Sequence, residues 1–135
     1  TLMRSSAASD VYKRQVYSFP YVSGRTFTLD YLVAMRDSVL GEHIQGAFPG
    51  SYMTTEKRFT PSYEAISKNG EYCGVVRGLW EMEGDMMGGP FVSHAHLDEK
   101  NQRVVVTETF VYAPNTKKAK LLRRGEASLY TFCMD

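Results

Sequence analysis

Residues 71–83, EYCGVVRGLWEME, are the longest alternating run in the chain and do most to limit its fold. Successive side chains of a strand point to opposite faces. One face therefore carries Tyr72, Gly74, Val76, Gly78, Trp80 and Met82, and the other Cys73, Val75, Arg77, Leu79, Glu81 and Glu83. A strand of this length needs neighbours for its backbone groups, and the flanking sequence supplies them. Residues 51–59 read as a strand that Pro61 interrupts and residues 63–66 resume, proline being confined to strand ends and edges. Asn69 and Gly70 are a hairpin turn signal. Residues 84–90, GDMMGGP, form a loop, and residues 91–97 a further strand, with Phe91, Ser93, Ala95 and Leu97 opposite Val92, His94 and His96. After a polar turn at 98–102, residues 103–112 return as a β-branched strand that Ala113 and Pro114 stop.

Helices flank this block. Residues 28–44 place Leu29, Leu32, Val33, Met35 or Arg36, Val39 and Leu40 at three-to-four spacing, with Thr28 as N-cap and Asp30 in the first turn. A last helix, capped by Asn115 or Thr116, runs to Phe132 with an inner stripe of Leu121 or Leu122, Gly125, Leu129 and Phe132. Its Gly125 costs about 1 kcal/mol relative to alanine, so the helix is either weakened there or packed unusually close. The order helix, four strands, helix predicts an α+β fold: an antiparallel meander of about four strands with both helices on one face.

The beginning of the chain reads differently. Residues 5–15, SSAASDVYKRQ, match one reading frame of a transposase-based sequencing adapter, which predicts that residues 1–15 are a foreign tail and that residues 16–135 are one α+β domain cut from a longer protein. Such a tail should lack specific packing. Without its Arg4, Lys13, Arg14 and Asp10 the formal charge moves from +1 to −1, which gives no electrostatic case for nucleic acid. No apolar run approaches the roughly 18 residues of a membrane helix. Cys73 and Cys133 lack zinc-type spacing and read as core thiols, although a disulfide in an oxidising compartment is open.

Four pieces carry a family resemblance: GSYMTTEKR at 50–58, VRGLWEMEGDMMGGPFVS at 76–93, FVYAP at 110–114 and LLRRGEASLYTF at 121–132. Together they resemble the C-terminal half of an uncharacterised family of Bacteroidota lipoproteins, domain of unknown function 4837, and residues 20–40 look like the segment preceding these motifs there. The resemblance implies a lipid-anchored cell-envelope protein whose anchor and N-terminal portion lie outside this chain. It brings no activity and no catalytic residues.

The residues themselves offer three constellations. His94 and His96 share a strand face and, with Asp98, have the donor types for a metal. Glu81, Asp85 and Glu108 are the carboxylates that a hydrolase-like enzyme would use, and Arg77 would otherwise pair across strands with Glu108. Arg77, Trp80, Glu81, Met87 and Tyr112 are the candidate ligand-binding set, on an aromatic-rich sheet that would dock a small ligand, an envelope protein or the N-terminal portion of the same protein. The glycines of residues 84–90 fit no phosphate-loop pattern, and no other cofactor pattern stands out. The leading expectation is a noncatalytic binding domain. The alternatives are the hydrolase and the metal-binding domain.

Overall fold

The computed structural model describes residues 2–4, 11–21, 28–45, 49–68, 70–84, 87–112 and 118–130. Among them lie strands β1 (Leu2–Arg4), β2 (Val11–Pro20), β3 (Tyr52–Thr55), β4 (Ser62–Lys68), β5 (Glu71–Glu83), β6 (Gly88–Asp98) and β7 (Arg103–Tyr112), with helices α1 (Leu29–His43) and α2 (Lys118–Leu129). Six strands form one antiparallel path, β1-β2-β7-β6-β5-β3, curled as a half-barrel, and β4 pairs with β5 beside β3. No helix of the described residues is long and apolar enough to cross a membrane.

This overturns the expected α+β fold with a meander of about four strands: the described residues are mostly strand, in one curled antiparallel sheet with two small helices. The sheet is larger, because residues 11–20 are a strand. All ten residues of β2 are in register with β7, from Val11 opposite Tyr112 to Pro20 opposite Arg103. Val11 to Gln15, read from the sequence as part of an unpacked tail, thus sit in the ladder, whereas residues 5–10 lie outside the described residues. The expected lack of specific packing therefore fails for Val11 to Gln15, and the Gln15 side chain also reaches Glu108. The single strand expected before residue 66 is also two, β3 and β4, on the same side of β5. Pro61, which has no N–H to give a ladder, lies in the gap between them.

The helices, moreover, cover opposite faces. α1 connects β2 to β3 and so crosses the sheet from the β7 side to the β5 side. It buries Leu32, Arg36 and Leu40, and its leucines join Met53, Val76, Trp80, Met82, Phe91, Ala95, Val106 and Phe110 in one core. α2 buries Leu129 against Cys73, Val75 and Val92 on the other side. The even-numbered residues of β5 face α1 and the odd ones α2, as the alternation requires. The two-sided cover explains why Val104 to Val111 are buried without interruption, the pattern of a strand with both faces packed.

Local signals account for the helix ends and the close contacts. The Thr28 side chain accepts the Tyr31 N–H at 3.1 Å, capping α1. Gly125 lies where α2 meets β7, and a Cβ there would collide with the Thr109 side chain, so the close-packing alternative for this glycine is the one realised. Gly89 is opposite Trp80. A Cβ on it would run into the Val111 carbonyl, the same oxygen that accepts the Trp80 Nε1–H at 3.1 Å.

Candidate functional site

The face under α2 holds a buried cluster of nitrogen and sulfur donors. Cys73 and His96 are opposite one another on β5 and β6, and His94 is two residues from His96 on the same face. Cross-strand neighbours and alternate residues both lie within side-chain reach, and the donor atoms of all three come within 4.8 Å of one another. Cys73 and His94 are fully buried and His96 nearly so. A fourth group enters from β4: the Lys68 ammonium lies 3.1 Å from His96 Nε2 and 3.5 Å from His94 Nδ1, and donates to the Leu129 carbonyl at the end of α2. That cation suits the negative end of a helix dipole.

Protonation states follow from the partners. A carbonyl only accepts, so the 3.1 Å contact between His96 Nδ1 and the Val105 carbonyl puts the proton on Nδ1 and leaves the Nε2 lone pair facing Lys68. An ammonium only donates, so His94 Nδ1 also offers a lone pair, and His94 Nε2 is buried with no hydrogen-bond partner. Burial, then the Lys68 charge, lowers both imidazoles to about 4, and burial pushes the Cys73 thiol up to about 11.

The α1 face holds a different buried network. Arg36 grips Glu108 through Nε to Oε1 at 2.8 Å and Nη2 to Oε2 at 3.0 Å, and donates Nη1 to the Thr55 hydroxyl at 3.0 Å. Its guanidinium lies 3.9 Å from the Phe91 ring centroid. Thr55 in turn donates to Asp37 at 2.6 Å, and Lys57 closes the chain on Asp37 at 2.6 Å. Gln15 donates to Glu108 at 3.3 Å. Burial raises the Glu108 carboxyl although Arg36 pulls it down. The network ties α1 to β3 and β7; its Arg36–Glu108 pair is closed to solvent, at 2% and 0% exposed, and it reaches the surface through Asp37 and Lys57.

Beside α1 a cleft of about 320 Å³ opens between its first half and residues 55–61. Leu29, Val33, Ala34, Phe59 and Pro61 give it an apolar lining, and Asp30, Glu56 and Lys57 are among its polar groups. Phe59 is 58% exposed. Next to the cleft Glu56 accepts from Arg58 at 3.0 Å, and this bond holds its carboxyl near 2. A hydrogen bond with Glu56 raises Glu81.

A family model described as Domain of unknown function (DUF4837) matches residues 3–131. The chain belongs to this family. No curated protein and no solved structure matches it.

In this DUF4837 chain the residues singled out from the sequence are spread over both faces. Trp80 and Tyr112 are on the α1 face, their rings 6.4 Å apart, and Met87 packs against the same core. Arg77 and Glu81 are on the α2 face, so the five candidate ligand-binding residues do not line one surface. Arg77 pairs with Glu126 of α2 at 2.6 Å rather than with Glu108, which the sheet separates from it. Of the hydrolase carboxylates, Glu81 and Glu108 are on opposite faces, and Asp85 lies outside the described residues. Of the metal candidates, His94 and His96 stay together, while Asp98 turns to Arg103 at 2.8 Å and to Asn101. Cys73 and Lys68 take its place in the cluster. Cross-strand register brings them in, and only the alternation of residues 71–83 hinted at it. Cys133 lies outside the described residues.

Proposed function

We propose that this chain is a noncatalytic binding domain of a cell-envelope lipoprotein, and that it takes a small amphiphilic ligand in the cleft beside α1. The observation that carries the reading is the exposed Phe59 beside Leu29, Val33 and Pro61, an apolar concavity with a few polar groups around it. Sites for small molecules have that composition. Lys57 and Glu56 are already engaged, by Asp37 and Arg58, which leaves the Asp30 carboxylate to meet a cationic group on an apolar body. The envelope address and lipid anchor come with the motif resemblance. Support for a noncatalytic role is the separation of Glu81 from Glu108 by the sheet, since acid–base pairs must reach one substrate.

Benzyltrimethylammonium and phenylacetate, titrated separately into the ¹⁵N-labelled domain, test this. The cation is expected to shift amide signals of residues 29–34 and 55–61, and Phe59→Ser and Asp30→Asn to weaken that response. Equal response to the anion, or no response in these residues, would refute the proposal.

A further inference from the structure

We propose that Cys73, His94 and His96 form a binding site for a borderline-soft divalent metal ion of the Zn²⁺ class, and that Lys68 is its built-in competitor. The donor set is one thiol and two imidazoles, the types that favour Zn²⁺. Their atoms converge within 4.8 Å. Metal bonds of about 2.0–2.3 Å in a tetrahedron need donors roughly 3.3–3.8 Å apart, so side-chain rotation about existing bonds brings them to ligating distance. His96 already has the outer-sphere arrangement of a ligand: its Nδ1–H is spent on the Val105 carbonyl at 3.1 Å, which turns the Nε2 lone pair inward. His94 turns its Nδ1 toward the same ammonium at 3.5 Å, so the lone pairs of two imidazoles converge on one point.

The position of Lys68 shows that this cluster accepts positive charge. Its ammonium sits among the two imidazole lone pairs and the Leu129 carbonyl. Among the described residues three acceptors face its N–H donors, and a cation is held where a metal would be. Metal entry therefore exchanges one cation for another. M²⁺ binds, the Cys73 S–H bond breaks and its proton goes to the buffer, and the Lys68 ammonium leaves for solvent with its own proton retained. Access is short. Among the described residues the Tyr130 ring, 47% exposed at the end of α2, packs edge-on to His94 with centroids 4.8 Å apart and links the cluster to the surface. Three protein donors leave a fourth position on the ion, the arrangement that keeps a site open to an added ligand.

The test is Co²⁺ titration of the reduced, metal-stripped full chain, followed by Zn²⁺ competition and by calorimetry in two buffers of different ionisation enthalpy. Wild-type protein is expected to develop a near-ultraviolet thiolate-to-cobalt absorption at one equivalent, to lose it on adding Zn²⁺, and to release one proton. Cys73→Ser should abolish the absorption. Lys68→Met should tighten Zn²⁺ binding by roughly tenfold or more, because a like charge within hydrogen-bond reach opposes the incoming ion. No absorption from the folded wild type overturns the proposal, whatever the variants do. So does an absorption that survives in folded Cys73→Ser. Binding by Lys68→Met alone overturns it too, since the lysine would then be the permanent occupant. Far-ultraviolet circular dichroism shows which variants are folded.

Discussion

Arg36 is a charged side chain at the centre of an apolar helix stripe, and its removal isolates one buried interaction. Arg36→Met keeps a flexible side chain between Leu32 and Leu40 but takes both hydrogen bonds from Glu108 and one from Thr55. Glu108 is 0% exposed, so it must either stay ionised without a counter-charge or take up a proton. Breaking one side of a buried pair costs about 3–5 kcal/mol, and the lost contact with Phe91 adds to it. Replacing both partners removes the stranded charge, and exchanges of this kind come close to neutral. Arg36→Met with Glu108→Leu is therefore expected to lie within about 2 kcal/mol of wild type, the residue of that loss coming from Thr55 and Gln15. Urea unfolding followed by fluorescence of Trp80, the single and buried tryptophan, gives the midpoints, and an unchanged slope shows that the unfolded state is the same. A loss below about 1 kcal/mol for Arg36→Met, or a double variant as unstable as the two single losses added, would show that the pair is not buried as described.

Other expectations follow from the same packing. Gly125→Ala should destabilise by about 1–3 kcal/mol through overpacking, opposite in sign to the helix-propensity gain of about 1 kcal/mol, and Thr109→Ala in the same chain should recover part of it; thermal melts of the single and double variants beside wild type decide. Deleting residues 1–15 takes half of β2 off β7 and Gln15 off Glu108, at a cost on the order of 2–4 kcal/mol for the lost ladder bonds; unchanged stability would instead favour a foreign segment without specific packing. The hydrogen bond from Arg77 lowers the Glu126 carboxyl in the folded state, so this pair stabilises above the ordinary glutamate range and its contribution disappears as pH falls through the lowered value. Glu126→Gln should accordingly flatten the loss of melting temperature below about pH 4.3, and an unaltered acid limb would contradict the pairing.

What the sequence disclosed depended on whether a feature was local. Alternation located β5 almost to the residue, the β-branched run located β7, and Thr28 marked the start of α1, because each signal is written within one element. The sides chosen by the helices are a property of the whole sheet. Val104 to Val111 being buried on both faces was the available clue, since a strand apolar on both sides needs two covers, and the polar Thr107, Glu108 and Thr109 within the run obscured it. The fourth residue of the α1 stripe was ambiguous between Met35 and Arg36 for the same reason. An arginine enters a core only with a partner, and Glu108 is 72 positions away. Gly125 was legible as an alternative, and its contact with Thr109 chose between the two. The site was half legible: His94 and His96 share a face by strand period alone, but Cys73 and Lys68 reach them through register across β4, β5 and β6, which no local pattern specifies. The N-terminal segment was lost to the fold because it was set aside on its match to an adapter reading frame, a ground that says nothing about whether its backbone pairs with β7.

The placement of the helices on opposite faces separates Glu81 from Glu108, Arg77 from Trp80, and the Cys73 cluster from the Arg36 network, so it is the point to measure. Methyl NOEs of the labelled domain do so directly. Leu32 and Leu40 are expected to show contacts to Trp80 and Phe91, and Leu129 to Val75 and Val92, with no cross-peak between Leu129 and either α1 leucine. A Leu129 cross-peak to Leu32 or Leu40 would place both helices on one face and contradict the two-sided sheet.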